Sequence, residues 1–272
     1  MSINDLIKYL QKPKNVIKHI KYHEKYCPLG TSQQIHDDYS HCGLSNLGNT
    51  CYLNVVIQCL RHISLFDLTL VQLRRICHRY IHHELTPHQA ALILNYYRVI
   101  YLLRHHHQST VAPIFFVQWL QFSCPGQYNQ NQHQDADEFL YYLFDLINTT
   151  TILNGSIKTI ITCGQCQSHS SHHESFRILN FDILDSDNDN EPSTPQSLSQ
   201  YFISFEQQPI SLTHYQCDHC HQYTSAQITK KISDFPQILI IKFNRSLHRL
   251  WKNNTLINYP LELTVSAHTY QL

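Results

Sequence analysis

Apolar residues recur at intervals of three and four positions in parts of the first half of the chain. From Cys51 onward the apolar positions are Leu53, Val56, Ile57, Leu60 and Ile63. This spacing predicts a helix with one buried face. Cys51 then lies in the first turn of that helix.

Two longer helices are predicted downstream. Thr86 and Gln89 stand at the two positions of a capping box, with Pro87 at the first helical position between them. Residues 104–107, RHHH, are expected to be the solvated basic end of this helix. The stretch HQDADEFLYYLFDLI also has one apolar face, and its first turn is acidic, as the helix dipole favours.

The pattern changes after Thr149, where β-branched and aromatic runs alternate with polar turns. IKTIITC, SFRILNFDIL, AQITKKI and QILIIKF predict strands. Residues 185–197, DSDNDNEPSTPQS, are acidic and lack apolar residues, so they predict an exposed loop. The D-x-D-x-D start suggests a calcium loop as an alternative. However, Asn190 stands where such a loop needs glycine, and Gln196 where it needs glutamate.

The composition fits a folded protein without a strong overall charge. Hydrophobic residues make up 42% of the 272 residues, which suffices for a core. Lys+Arg and Asp+Glu number 20 each, so no net charge attracts nucleic acid or an anionic membrane. No apolar run reaches the ~18 residues of a membrane span, and the first 25 residues lack the apolar core of a signal peptide. We therefore expect a soluble intracellular protein of the cytoplasm or nucleus.

In a reducing compartment, ten cysteines indicate metal ligands, a nucleophile or small buried residues before disulfides. Cys51 follows a glycine-containing turn and begins a helix, whose positive end favours the nucleophilic thiolate. The alternative is a small buried residue. Asn46, in the same turn, can offer its amide N–H to a developing oxyanion beside the Cys51 backbone N–H, or it can simply accommodate the turn.

Two C-x-x-C pairs, Cys163 with Cys166 and Cys217 with Cys220, are each followed by strand-like sequence. Together they supply four thiolates for a tetrahedral zinc ion. A closed site of this kind has no position for a reacting water, so the metal is expected to be structural. Two redox motifs or reduced bystander thiols are the alternatives. The other cysteines lack a partner spacing and are expected to be structural or incidental.

The segment GLSNLGNTCYLNVVIQCL resembles the cysteine box of the ubiquitin-specific proteases, and HQDADEFLYYLFDLI is similar to that family's Gln-x-Asp-x-x-Glu-Phe helix. YQCDHC, FPQILIIKFNR and INYPLEL resemble, in this order, the family's later zinc-binding hairpin and the sheet behind it. The resemblance runs from Cys42 to the last residue. It implies a papain-like thiol protease that cuts after the C-terminal glycine of ubiquitin.

The resemblance also implies an α+β architecture. It assigns a helical thumb to residues 42–150, and zinc-tipped β fingers with a partial palm sheet to residues 151–272. Residues 1–41, with one short predicted helix, would form an N-terminal extension. Zinc is the structural cofactor, and no catalytic cofactor is implied. Ubiquitin and ubiquitinated proteins are the expected partners, with neither nucleic acid nor membrane.

The matching positions suggest individual roles. Cys51 matches the nucleophile and Asn46 the oxyanion-hole side chain. Asp135 and Glu138 match acids that hold the basic C-terminal tail of ubiquitin, and Gln134 lines the same groove. His133, beside them, stands where the family usually has glutamine.

A papain-like site also needs a general base and a residue that orients it. The resembled family carries the base in a Gly-His-Tyr stretch, which occurs nowhere in the 272 residues, as if the chain stopped short of it. His214 lies near Cys217, and His268 stands several residues before the family's base, so neither is assigned. The open alternatives are a deubiquitinase completed by further residues or another chain, a truncated ubiquitin-binding pseudoenzyme, and a structural zinc protein. The last leaves the cysteine box unexplained.

Overall fold

A computed structural model describes residues 42–63, 70–105, 109–128, 132–148, 150–183, 196–247 and 251–271. The helix predicted over residues 2–11 and most of the acidic loop predicted over 185–197 lie outside these ranges. The chain divides into two compact units, residues 1–148 and 149–272.

The first unit is helical, as the apolar spacing predicts. Its helices are α1 (Cys51–Leu60), α2 (Leu70–Ile81), α3 (Pro87–His105), α4 (Ile114–Ser123) and α5 (Ala136–Ile147). Strand β1 (Gly43–Leu44) pairs in parallel with β2 (Thr110–Val111) and so ties the segment before α1 to the segment after α3. Within the described part of the chain, no helix is long and apolar enough to cross a membrane.

Helix α3 is buried along most of its length. Thr86 and Gln89 form the predicted capping box, because the Thr86 backbone N donates to Gln89 Oε1 at 2.9 Å and the Gln89 N donates to Thr86 Oγ1 at 3.2 Å. The expectation of a solvated basic end is wrong for Arg104, whose Nε donates to the Arg61 carbonyl at 2.5 Å. The end of α3 is therefore attached to the end of α1.

The second unit is mainly β, as predicted. Four antiparallel strands form its largest sheet, in the order β4-β3-β8-β7. They are β3 (Gly155–Cys163), β4 (His169–Phe176), β7 (Ile210–Gln216) and β8 (Tyr223–Asp234). Strand β5 (Ile178–Asp182) pairs in parallel with β9 (Ile240–Asn244).

Short elements complete the second unit. Helix α6 (Thr150–Leu153) precedes β3, and α7 (Leu198–Gln207) follows β6. The strand pairs are β6 (Gln196–Ser197) with β12 (Ile257–Asn258), β10 (Ser246–Leu247) with β11 (Trp251–Lys252), and β13 (Glu262–Val265) with β14 (His268–Gln271).

Helix α7 was not expected in a strand-rich half, and it supplies part of that half's core. Tyr201 and Phe202 are buried against Phe181 of β5, with ring centroids 5.6 and 5.1 Å from that ring. Ser197 caps the helix together with Gln200. The loop predicted over residues 185–197 is therefore two residues too long, because residues 196–197 form β6 and lead into the cap.

Candidate active site and metal centre

Cys51 is the first residue of α1, and its side chain is exposed. The chain turns sharply before it, with positive φ angles of 93° at Gly48 and 48° at Asn49. Thr50, the residue before the cysteine, is buried with 2% exposure. The thiol of Cys51 is therefore accessible, as the sequence predicts, while the residue before it anchors the loop in the protein interior.

Asn46 is anchored through its side-chain oxygen. Its Oδ1 accepts hydrogen bonds from the backbone N and the Oγ1 of Thr50, both at 3.0 Å. A backbone N–H can only donate, so the atom that faces Thr50 must be the oxygen of the carboxamide. Asn46 is exposed, and among the described residues its Nδ2 meets no acceptor. The Nδ2–H group is therefore available to a ligand.

Helix α1 also fastens the loop that precedes it. Asn54 Nδ2 donates to the Ser45 carbonyl at 3.2 Å, and Gln58 Nε2 donates to the Cys42 carbonyl at 3.2 Å. Arg61 donates to the same Cys42 oxygen at 2.8 Å. These contacts were not predicted from the sequence. The spacing of three polar residues at four and three positions on one helix face was the available signal.

Acidic residues stand at the start of α5. Asp135 is the N-cap residue, with extended backbone, yet its carboxylate makes no capping hydrogen bond. Asp135 and Glu138 are exposed, Gln134 is half-buried and His133 is exposed. Since a capping aspartate usually bonds to the helix, this carboxylate has kept its hydrogen-bonding capacity.

An aromatic cluster joins α1 to α5. The ring of Tyr52, next to Cys51, lies 5.6 Å from that of Phe139, next to Glu138, and 5.9 Å from that of Tyr128. Burial, with smaller effects of neighbouring Cys124 and Glu138, raises the pKa of Tyr128 to about 12. Burial likewise raises the pKa of Tyr52. Both phenols stay protonated near neutral pH, so they hold the helices together and do not act as bases.

The two histidines considered in the sequence lie in the second unit. His214 is in β7, and His268 is in β14, where its ring stacks on Phe235 with centroids 4.4 Å apart. Neither position gives a reason to assign a catalytic base.

The structure brings the four cysteines of the two C-x-x-C pairs together. Their Sγ atoms all lie within 4.8 Å of one another. Cys163 and Cys220 are separated by 3.9 Å, and Cys166 and Cys217 by 3.7 Å, between sulfur atoms. Four sulfurs at ~2.3 Å from a tetrahedral zinc would be roughly 3.8 Å apart. The group therefore has the donors and the spacing to hold such an ion, whereas bonded sulfurs would be ~2 Å apart.

The two C-x-x-C turns have the same local structure. In the first, the Cys163 N donates to the carbonyl five residues later at 3.0 Å, and in the second the Cys217 N does so at 3.1 Å. The residue after each second cysteine has positive φ, 58° at both Gln167 and His221. Gly164 approaches strand β8 closely, since a Cβ there would lie 2.7 Å from Ser225 Oγ.

Ser168 contacts two of the four sulfurs. This role was not predicted from the sequence. Its Oγ lies 3.1 Å from the Sγ of Cys166 and 3.4 Å from that of Cys217. Hydrogen bonds from the Ser168 side chain and backbone lower the pKa of the Cys166 thiol to about 5. The Ser168 side chain also lowers the pKa of Cys217. One hydroxyl thus favours the thiolate form that a metal needs.

Comparison with curated proteins gives similar sequences in a mouse and a plant. The chain is 25% identical over 253 residues to ubiquitin carboxyl-terminal hydrolase 17-like protein D of Mus musculus, covering 85% of this chain and 43% of that protein. It is 26% identical over 239 residues to ubiquitin carboxyl-terminal hydrolase 23 of Arabidopsis thaliana, covering 80% and 26%. The chain thus spans less than half the length of these relatives.

Among solved structures, the fold is similar to the SAGA Ubp8/Sgf11/Sus1/Sgf73 DUB module bound to ubiquitin aldehyde. The TM-score is 0.63 at 20% identity, covering 92% of this chain and 58% of that one. This likeness shows the papain-like α+β fold that the sequence predicts. The sequence model of the ubiquitin carboxyl-terminal hydrolase family matches residues 42–271. The chain therefore belongs to the ubiquitin carboxyl-terminal hydrolase family, within its ubiquitin-specific protease branch.

Proposed function

We propose that this chain is a thiol-dependent deubiquitinase that hydrolyses the peptide or isopeptide bond after the C-terminal glycine of ubiquitin. The observation that carries the proposal is the exposed thiol of Cys51 at the start of α1, beside a carboxamide whose oxygen is anchored. A thiol in this setting is accessible, and the helix dipole stabilises its thiolate.

The reaction follows from these two groups. The Cys51 sulfur attacks the glycine carbonyl carbon, and the carbonyl electrons move to the oxygen. The Asn46 Nδ2–H and the Cys51 backbone N–H then donate to this oxyanion. Collapse breaks the C–N bond, the lysine amine leaves with the proton that the Cys51 thiol has lost, and a thioester remains on Cys51. Water attacks the thioester, which releases the ubiquitin carboxylate and restores the thiol.

Asp135, Glu138 and Gln134 are proposed to bind the basic C-terminal tail of ubiquitin. Support comes from the exposed acids and from the carboxylate of Asp135 that does not cap its own helix. The contacts among Tyr52, Tyr128 and Phe139 would keep this segment at a fixed position relative to Cys51. A rigid link of this kind favours reaction, since the scissile carbonyl must meet the thiol in one geometry.

The ion at the four cysteines is proposed to be structural zinc. Cys163, Cys166, Cys217 and Cys220 would complete its coordination and leave no position for a reacting water. Zinc here stabilises the turns of β3–β4 and β7–β8 and takes no part in the chemistry. We further propose residues 42–272 as the catalytic domain, with a thumb over 42–150, fingers and palm over 151–272, and an extension over 1–41. An intracellular location suits these reduced thiolates.

A second candidate function is a ubiquitin-binding pseudoenzyme. The observation that favours it is the lack of any Gly-His-Tyr stretch in the 272 residues, because the leaving amine then has no assigned proton donor. Positioned proton transfer is worth about 10² to 10⁴-fold in rate. Turnover of a fluorogenic ubiquitin amide by residues 1–272, compared with an extended form that contains such a stretch, separates the candidates. Fast, equal turnover by both would exclude the pseudoenzyme.

A ubiquitin probe with a C-terminal electrophile tests the nucleophile directly, because a strong electrophile needs little help from a base. We expect one label per chain, lost in Cys51→Ala. Cys59→Ala is the matched control, since it removes the other exposed cysteine of α1 two turns away. Labelling that survives in Cys51→Ala, or that is lost in Cys59→Ala, would contradict the assignment.

A further inference from the structure

A second pair of side chains that can bind a metal lies at the end of α2, and the proposed function does not use it. His78 is in the last turn of α2, and His82 follows directly after the end of the helix. The His82 backbone N donates to the His78 carbonyl at 3.0 Å, so the helical turn continues and the two side chains share a face. Their ring centroids are 4.1 Å apart, with a tilt of 42° between the planes. Both side chains are exposed. In the described part of the chain, no hydrogen bond occupies either imidazole.

We propose that His78 and His82 form a bidentate site for a divalent transition metal that prefers imidazole nitrogen, namely Cu²⁺, Ni²⁺ or Zn²⁺. Two imidazoles that bind one metal at ~2.05 Å, with an angle near 100° at the metal, have centroids roughly 5 Å apart. The observed 4.1 Å is close to this value. Small side-chain rotations, which exposed rings make freely, bring both nitrogens onto one ion. Water completes the coordination.

The charges around the pair decide which ions it selects. The α2 sequence, LVQLRRICHRYI, contains no acid. Arg74 and Arg75 are exposed, and Arg79 pairs with Glu84 at 3.6 Å between Nε and Oε2. Positive neighbours oppose any cation, and Mg²⁺ and Ca²⁺ need carboxylate oxygens that this helix does not offer. Affinity must therefore come from the metal–imidazole bonds, which gives the order Cu²⁺ above Ni²⁺ and Zn²⁺.

Chelation can be distinguished from metal binding by two separate solvated histidines. In a chelate, the loss of either histidine weakens metal binding by the other. The control pair His169 and His172 tests for histidine number alone. Both are exposed on β4 and lie three residues apart, so they point to opposite faces of the sheet and cannot share an ion.

The experiment is a calorimetric titration of the zinc-loaded 272-residue chain with Ni²⁺, which does not oxidise thiols as Cu²⁺ does. We expect one saturable site that both His78→Ala and His82→Ala weaken by at least about tenfold, because the loss of one of two ligands should cost no less than the about 10- to 100-fold that the loss of an outer-shell partner costs. The double variant His169→Ala with His172→Ala should keep the site. Equal Ni²⁺ binding by the wild type and by either His78→Ala or His82→Ala would overturn the proposal.

A second readout does not depend on stoichiometry. Histidine-ring ¹H–¹⁵N spectra recorded while Zn²⁺ is added to the zinc-loaded chain should show the His78 and His82 signals changing together. They should do so at lower metal concentration than those of His169 and His172. A change in the signals of only one of the two residues, His78 or His82, would also overturn the proposal, because a bidentate site engages both rings.

Discussion

The cysteine loop of the first unit and the cysteine turns of the second unit hold their thiols by different means. Around Cys51, side chains of α1 bond to loop carbonyls, and buried aromatic rings support the helix. Around Cys163 and Cys217, the two edge strands of the sheet are mostly exposed: every residue of β4 before Phe176 and five of the seven residues of β7 are exposed. Packing and hydrogen bonds hold the Cys51 loop in place, whereas the two C-x-x-C turns depend on the group of four sulfurs.

The difference follows from what each region can bury. A helix with apolar residues on one face contributes to a core and can still offer a polar face to a loop. A sheet whose edge strands are mostly exposed gains less from burial, and a metal at the four sulfurs would add to its stability. We therefore expect the two sites to respond oppositely to metal removal and to the loss of single hydrogen bonds.

Metal removal should have the largest effect. Cys217→Ser with Cys220→Ser removes two of four ligands, and structural zinc contributes roughly 10 kcal/mol or more in small zinc peptides. We expect loss of the ion in elemental analysis and loss of amide-exchange protection in β3 and β8, with protection in α1 and α3 retained. Cys59→Ser with Cys124→Ser is the control, since both thiols lie outside the cluster. Zinc-free wild-type protein, or unchanged protection in the ligand variant, would refute the metal assignment.

Loss of the Ser168 hydroxyl should have the next largest effect. Ser168→Ala removes a donor to two sulfurs but keeps the backbone, and outer-shell changes of this kind cost about 10- to 100-fold in metal affinity. The measurement is competition for zinc by a colorimetric chelator. Ser233→Ala, which changes an exposed hydroxyl of β8 bonded to the Ser156 carbonyl, should leave affinity unchanged. Equal affinity in both variants would show that Ser168 does not support the site.

The first site should respond to a single hydrogen bond on its own helix. Asn54→Ala frees the Ser45 carbonyl next to Asn46, and we expect slower labelling of Cys51 by the ubiquitin probe, by a factor of about 3 to 10, with about 1 kcal/mol less stability. Asn95→Ala is the matched control. Asn95 Nδ2, like that of Asn54, donates to a backbone carbonyl, but its acceptor is Ala91 of its own helix α3, at 2.8 Å. It should cost similar stability without slowing the label. Equal slowing by both would mean that general destabilisation is the cause.

The acidic segment should give the smallest effect, because exposed charge pairs contribute about 0.2–1 kcal/mol. Asp135→Asn keeps a good N-cap residue and should weaken ubiquitin binding two- to fivefold, with the difference shrinking at high salt. Asp137→Asn removes the same charge from the second residue of α5 and should change ubiquitin binding less. Ubiquitin binding measured at two salt concentrations checks this. Larger weakening by Asp137→Asn would place the tail contact elsewhere.

Periodicity and spacing predicted the elements that carry the chemistry. α1, α3 and α5 follow from apolar spacing and capping residues, and the four-sulfur group follows from two C-x-x-C pairs. Helices α2, α4, α6 and α7 were not foreseen. IFFVQWLQFS is apolar around most of its surface, and LSQYFISFEQ lies among strand-like runs, so neither has a clear helical period.

The finer features of both sites depend on contacts that sequence spacing does not reveal. Whether Asn46 turns its oxygen or its nitrogen outward is decided by Thr50, which has one donor fixed by the backbone. Whether Ser168 reaches Cys217, distant in sequence, is decided by the pairing of β3 with β8. Such contacts exist only after the backbone has folded, so residue types alone could not predict them.

The sheet order gives the metal centre one more role. β3 and β4 form one hairpin, β7 and β8 form another, and among the described strands only β3 and β8 join them. This seam sets Lys158 opposite Lys231, a like-charge pair that disfavours its own register. A slip of two residues would return every side chain to its own face, yet it would move the sulfurs of the two hairpins ~7 Å relative to each other. An ion bound by two sulfurs from each hairpin would therefore fix the register between β3 and β8, and its loss would leave the hairpins free to pair in a shifted register.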